Sequence, residues 1–278
     1  HHAWLGEIPP GSAVPRTMAN GTAILLDKGQ HDAMISDVII WSGRVGVKSG
    51  NGANRLQGVH AWNLAGKDGG IGIELGVAWG GASGGRVQDC YLDYAPLVVN
   101  EPGDLVISNN LFLGSSSIVL AATHAQSVVR NVIVTGNVHH TGNAGNRSFF
   151  VDERLGSFAQ IEDVVVENNE VDATDAKANK TGTRATLSAP LAPGDKSATL
   201  WFTKYLMFQT PIDPPSIRCW LYGPHATAIS AVRLYDLAVQ VNLAEAVPLV
   251  PAAAPGRLGS AATASAMVTC SVDQSARA

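Results

Sequence analysis

Two kinds of short, strand-forming segment alternate along residues 21–172, and this alternation constrains the fold more than any other feature of the chain. The first kind reads ILLD (24–27), VGVK (45–48), IGIE (71–74), LVVN (97–100), IVLA (118–121) and FFVD (149–152). The second reads ISDVII (35–40), LQGVHA (56–61), VQDCYL (87–92), ISNNLF (107–112), VTGNVH (134–139) and VENNEV (166–171). Successive starts lie 21 to 31 residues apart in the first series and 20 to 32 in the second. A period in that range is the mark of a solenoid, because each unit is too small to bury its apolar face alone and must stack on its neighbours. The intervening loops are rich in Gly, Ser and Asn rather than helix-forming, which argues against alternating strands and helices. The expected fold is all-β, a parallel β-helix of stacked coils.

Aligning the second series yields one informative column: Val38, Val59, Cys90, Asn110, Asn137, Asn169. Three successive Asn side chains in one slot predict a hydrogen-bonded ladder at a bend, repeated at the strand spacing. Cys90, in the same column, is then a buried free thiol rather than a nucleophile. Asp37, Asp89 and Asn109 share the preceding slot and read as turn residues. Of the other cysteines, Cys219 and Cys270 lie in one region and are the expected disulfide pair.

Past residue 172 the pattern changes. The expected organisation is β-helix coils over 1–172, a polar linker over 173–197, and a C-terminal antiparallel β region over 198–278, with strands at 199–208, 217–222, 231–242 and 266–273. That region is expected to cap the solenoid, and the lack of a comparable cap before the first coil points to further coils upstream.

Charged residues are only 15% of the chain, and the net charge is −4 with a pI near 6.0. This argues against non-specific nucleic-acid binding. No apolar run is long enough to cross a bilayer, so no membrane partner is expected. Three Asn-x-Ser/Thr sequons, at Asn20, Asn146 and Asn179, lean towards secretion. No P-loop, C-x-x-C, G-x-S-x-G or H-E-x-x-H string occurs, so no cofactor or metal is expected. His139 and His140 have no third ligand at a metal-site spacing, and His60 reads as a core or rim residue.

Candidate chemistry lies on an outward column at the end of the first-series strands: Asp27, Lys48, Glu74, Asn100, Ala121, Asp152. Asp27 and Glu74, two coils apart, would stand roughly 9–10 Å apart. Inverting glycosidases need two carboxyls roughly that far apart, one to protonate the leaving oxygen and one to activate water. Lys48, between them, with Arg44, Arg55 and Lys67, would suit an anionic sugar chain. The alternative is a solvated edge of weak salt bridges. Asp93 falls in the column of Trp41 and Trp62, where a carboxylate is harder to dismiss. Trp41, Trp62, Tyr94 and above all Trp79, in the loop VAWGGASGG, could stack on sugar rings.

The runs GVHAWNLAGKDGGIGIELG (58–76) and RVQDCYLDYAPLVVNEPGDLVISNNLFLGSSSIVLAA (86–122) resemble the Quartet-type polygalacturonases of plants, divergent members of the pectate-lyase-like β-helix superfamily. The resemblance extends from about Gly21 to Val171, with a weaker echo to VTCSVDQ near the C-terminus. It implies a right-handed β-helix, secretion to the cell wall, a pectic polysaccharide as partner and hydrolysis of galacturonan; separately, the chain is expected to be a monomer. The Asn-Thr-Asp, Asp-Asp, Gly-His-Gly and Arg-Ile-Lys strings of the better-known polygalacturonases are absent, so no catalytic residue carries over from them. Two other functions fit a β-helix of this kind: a non-catalytic polysaccharide binder, and a lyase, for which no acidic cluster dense enough to hold Ca²⁺ is evident.

Overall fold

The structure is a computed structural model that describes residues 3–5, 19–27, 29–41, 43–50, 53–62, 70–76, 84–140, 148–171, 182–203, 205–208, 212, 214–223, 228–247 and 266–275. The chain divides into two compact units, one of residues 1–183 with 275–278, the other Arg184–Gln274.

The first unit is a parallel β-helix. Its strands are β1 (Ala3–Leu5), β2 (Ala19–Leu26), β3 (Met34–Trp41), β4 (Gly43–Ser49), β5 (Arg55–Trp62), β6 (Ile71–Leu75), β7 (Arg86–Gln88), β8 (Tyr91–Asp93), β9 (Leu97–Asn100), β10 (Gly103–Ser108), β11 (Leu111–Leu113), β12 (Ile118–Ala121), β13 (Ser127–Thr135), β14 (Val138–His140), β15 (Phe149–Asp152), β16 (Phe158–Glu167) and β17 (Glu170–Val171). The first series forms one six-stranded parallel sheet in the order β15-β12-β9-β6-β4-β2, and the second forms an eleven-stranded sheet with β1 at β3. Each interior position is a stack of one residue per coil. Val47, Ile73, Leu97, Ile118 and Phe149 pair in register, and all are buried. Removing such side chains from water contributes about 1.5–3 kcal/mol each.

From the third coil on, the second-series strands break in two at the ladder column, as in β7 and β8 around Cys90. The break is a bend that needs a left-handed residue in every coil. Asp37, Gly58, Asp89, Asn109, Gly136 and Asn168 all have φ between 53° and 68°. Gly, Asn and Asp reach that region at least cost, which is why no other residue type fills the slot. One position on, the asparagines form the predicted ladder. Asn110 Nδ2 donates to Asn137 Oδ1 and Asn137 Nδ2 to Asn169 Oδ1, each at 2.9 Å, while the backbone N–H groups of Cys90, Asn110 and Asn137 donate to the next Asn Oδ1 at 2.9–3.0 Å. The remaining amide hydrogens reach Val87, Ile107 and Val134 carbonyls. The Cys90 thiol is buried, and burial pushes its pKa up to about 11, so it is not a nucleophile at neutral pH.

His139 lies in the interior column after Leu92 and Phe112. Its ring stacks on Phe112 at 4.5 Å and 4° and meets Phe149 edge-on at 4.6 Å. It is fully buried, and neither ring nitrogen has a hydrogen-bond partner among the described residues; burial lowers its pKa to about 3. At the far edge, Val164 N–H donates to the Ser275 carbonyl and Val166 N–H to Thr183 Oγ1, so part of the β16 edge is covered.

The second unit holds two three-stranded antiparallel sheets. Their strands are β18 (Arg184–Leu191), β19 (Ser197–Trp201), β20 (Ile217–Tyr222), β21 (Ile229–Tyr235), β22 (Ala238–Leu243) and β23 (Ala266–Asp273), ordered β18-β23-β20 and β19-β22-β21. Both sheets contribute to one core that includes Leu200, Phe202, Val239, Val241, Val268 and Cys270. Cys219 and Cys270 sit opposite each other on β20 and β23 and form the expected disulfide. Three expectations need correction. The strand expected over 199–208 ends at Trp201, after which the Tyr205 and Leu206 N–H groups donate to the Phe202 carbonyl in a turn. Residues 184–191, within the stretch read as a linker, form β18, whose polar residues alternate with apolar ones. The segment read as one strand over 231–242 is a hairpin, turned at Asp236 (φ 48°) and Leu237.

Candidate functional site

The predicted outward column of the first sheet does not hold in register. Lys48 and Glu74 are paired neighbours, but the residue opposite Lys48 on β2 is Leu25, and Glu74 pairs with Val98 rather than Asn100. Asp27 lies past the end of β2 and is exposed. A register shift between Ala19 and Thr22 shows that β2 and β4 do not align residue for residue over their whole length, which sequence spacing cannot reveal. Side-chain reach restores part of the line. Lys48 Nζ is 3.1 Å from Glu74 Oε2, and Asn100 Nδ2 donates to Glu74 Oε1 at 3.4 Å. Asn100, Ala121 and Asp152 do share a column, and there the Arg154 guanidinium binds Asp152 through both carboxylate oxygens and holds its pKa below the usual range.

A second cluster lies on the outward face of the other sheet. There Trp41, Trp62, Asp93, Leu113 and His140 form one column, and Ile39, His60, Tyr91 and Leu111 form the next. The alternation of each strand sends Ile40, Ala61, Leu92 and Phe112 inward and these two columns outward. Trp41 stacks on Trp62 at 4.2 Å and 18°, and His60 on Tyr91 at 4.2 Å and 17°. Partial burial among these rings raises the Asp93 pKa, offset in part by the charge of His60. His60 is lowered by the same burial, offset by Asp93, and Tyr91 is raised by burial and then by Asp93. A carboxyl whose pKa burial raises, beside aromatic faces, is suited to act as a general acid. His60 was read from the sequence only as a core or rim residue, and Tyr91 was not singled out. The signal was present in HAW and YLD, where each flanks an inward residue and stands one step from the Trp62–Asp93 column.

Arg44 is exposed on β4, four positions before Lys48. Arg55 is exposed beyond the ladder bend from Asp93, paired with Arg86. Tyr94 is exposed, and its ring lies over Gly114 so closely that a Cβ there would come within 2.5 Å of it. Trp79, Lys67 and the sequons at Asn146 and Asn179 lie outside the described residues. Among the described residues no three His, Cys, Asp or Glu side chains gather as a metal site, and no helix is long and apolar enough to cross a membrane.

No family model matches the chain. Polygalacturonase QRT3 of Arabidopsis thaliana is 35% identical to it over 152 residues, which is 55% of this chain and 30% of that protein. The chain therefore spans less than a third of the relative's length, and the likeness to Quartet-type polygalacturonases read from residues 21–171 is met in a named member. Among solved structures, the tailspike protein gp49 from Pseudomonas phage LKA1 aligns over 91% of this chain and 64% of its own at 10% identity, with a TM-score of 0.26.

Proposed function

We propose that this chain is a pectin-directed glycoside hydrolase in which Asp93 is the proton donor. The observation that carries the reading is the Asp93 carboxyl, raised by burial on an outward face beside Trp62, Tyr91 and His60. Likeness to a polygalacturonase over 152 residues supports the substrate class. Glu74 is the second carboxylate, with Lys48 Nζ 3.1 Å from its Oε2. It pairs with Val98 on β9, and only the short turn 94–96 separates β9 from β8, which bears Asp93. In the inverting reaction Asp93 gives its proton to the glycosidic oxygen as that bond breaks. Glu74 takes a proton from water, whose oxygen bonds to the anomeric carbon from the opposite side. Lys48, Arg44 and Arg55 recognise uronate carboxylates, with Trp62 against a sugar ring. Asp27, off this line, has no part in it. The enzyme works outside the cell as a monomer.

Reducing-end release from polygalacturonate is the test. Asp93→Asn and Glu74→Gln are each expected to lower kcat by about 10²–10⁴-fold with the fold retained. An Asp93→Asn protein that hydrolyses at the parent rate overturns the assignment. Retention of polygalacturonate without release by the parent chain overturns the hydrolase reading in favour of a binder.

A further inference from the structure

The outward face of the β19-β22-β21 sheet carries a second set of groups that the hydrolytic site does not use. Trp201 and Tyr235 both pair with Ala238, one from each side. The core-facing residues of these strands are Leu200, Val239 and Leu234, so this row points away from the core. Trp201 is 64% exposed and Tyr235 50%, although either ring could bury a large apolar area. Ala238 between them is fully covered and offers only a methyl group, so it forms a floor with an aromatic ring on either side. With one strand between them, the two backbones are roughly 10 Å apart. The next row is polar: Thr199, Gln240 and Arg233 are paired across the sheet, followed by Ser197, Asn242 and Ala231. Tyr235 Oη hydrogen-bonds to Gln240 Oε1 at 3.2 Å, which holds the ring's polar tip.

We infer that this face is a carbohydrate-binding platform, separate from the hydrolytic site, that holds an extended acidic polysaccharide. Pyranose rings present an apolar C–H face and a polar rim. Two exposed rings spaced across three strands match sugars further apart than adjacent units, while the amide and hydroxyl rows match the rim. Arg233, exposed in the polar row, supplies the charge that a uronate carboxylate complements. The other sheet of this unit offers no equivalent, because its outward pair, Trp220 and Tyr222, meets edge-to-face at 88°. The choice of an acidic polymer rests on the proposed function; the platform geometry does not.

Affinity electrophoresis through gels containing polygalacturonate or a neutral glucan tests this, with the whole chain carrying Asp93→Asn so that cleavage cannot destroy the ligand. Retardation by polygalacturonate is expected, weakened at least tenfold in apparent Kd by Trp201→Ala or Tyr235→Ala. Arg233→Gln is expected to weaken binding to polygalacturonate more than to its methyl ester. Both aromatic residues are exposed, and circular dichroism checks that the variants fold. Retardation unchanged in both aromatic variants overturns the proposal. So does a sedimentation coefficient that falls on Trp201→Ala, which would mean that a second copy covers the face. Release of reducing ends from short oligogalacturonides, measured in the same variants on the Asp93 parent, is expected to stay unchanged. Loss of that activity alone would fault the hydrolase reading, and loss of retardation alone would be the platform's signature.

Discussion

The two units of this chain solve the same problem, satisfying backbone and burying apolar faces, with partners at very different distances. In the β-helix every stack and ladder joins residues one coil apart, as Asn110 to Asn137, and no disulfide is present among the described residues. In the second unit Arg184 pairs with Asp273 and Cys219 with Cys270, so its sheets close only when the chain returns from afar. The comparison teaches that stability in the first unit is a sum of neighbour terms, whereas in the second it depends on closing long loops.

Breaking the neighbour terms should have the largest effect. Asn137 is the middle of the ladder: its Oδ1 accepts two bonds from Asn110, and its Nδ2 serves Asn169 and Ile107. Asn137→Leu leaves two Asn110 donors buried and unpaired, and is expected to cost on the order of 5 kcal/mol by urea unfolding of the first unit. Asn110, the first rung, accepts only the Cys90 N–H, so Asn110→Leu should cost less. Equal losses would mean that the ladder is not a chain of neighbours.

Loop closure sets the next effect. The Cys219–Cys270 bridge spans a sequence separation of 51, for which chain entropy gives about 4 kcal/mol. Cys270→Ala with Cys219→Ala should lower the unfolding transition of the second unit by roughly that amount, and hydrogen exchange in the β-helix should not change. A matching loss of protection in β10 and β13 would erase the distinction between the units.

The same contrast explains what could be read in advance. The ladder slot and its left-handed neighbour admit few residue types, so Asn110, Asn137 and Asn169 announced the bend by themselves. The strands of both series lie where the period puts them, because the apolar stacks recur at every turn. The outward column failed because outward residues pack against nothing that fixes their spacing. Leu25 rather than Asp27 pairs with Lys48, and Val98 rather than Asn100 with Glu74; each differs from the sequence alignment by two residues, an even step that leaves inward residues inward. Tyr91 was missed, and His60 was read only as a core or rim residue, because their role depends on stacking across coils, not on either residue alone. In the second unit the strands of the 217–222 and 266–273 segments were legible from alternation. Residues 184–191 were not, since Ser, Thr and Pro on the outward side read as a polar linker.

His139 sharpens the comparison within the β-helix by setting a titratable ring among apolar stacks. An unfolded His takes up a proton below about pH 6.5, whereas the buried ring resists until about pH 3. Stability is therefore complete at neutral pH and falls as the pH drops from about 6.5 towards 3. Between pH 7 and pH 5 the loss is about 2 kcal/mol. His139→Phe, which keeps a ring against Phe112 and removes two unpaired nitrogens, should flatten that slope in urea midpoints taken across the range. A slope unchanged by the substitution would place the acid sensitivity elsewhere.

The smallest structural effect belongs to the outward pair, Lys48 and Glu74. Their 3.1 Å contact is partly exposed, with 33% of the Lys48 side chain and 14% of the Glu74 side chain open to solvent. Lys48→Met should therefore change the stability of the β-helix by less than about 1 kcal/mol. Its effect on function should be larger. If Lys48 holds a uronate carboxylate as well as Glu74, the substitution raises KM for polygalacturonate. The inward stacks would then be the part of each coil that carries stability, and the outward columns the part that carries chemistry. A Lys48→Met protein that loses several kcal/mol while keeping its KM would reverse that division.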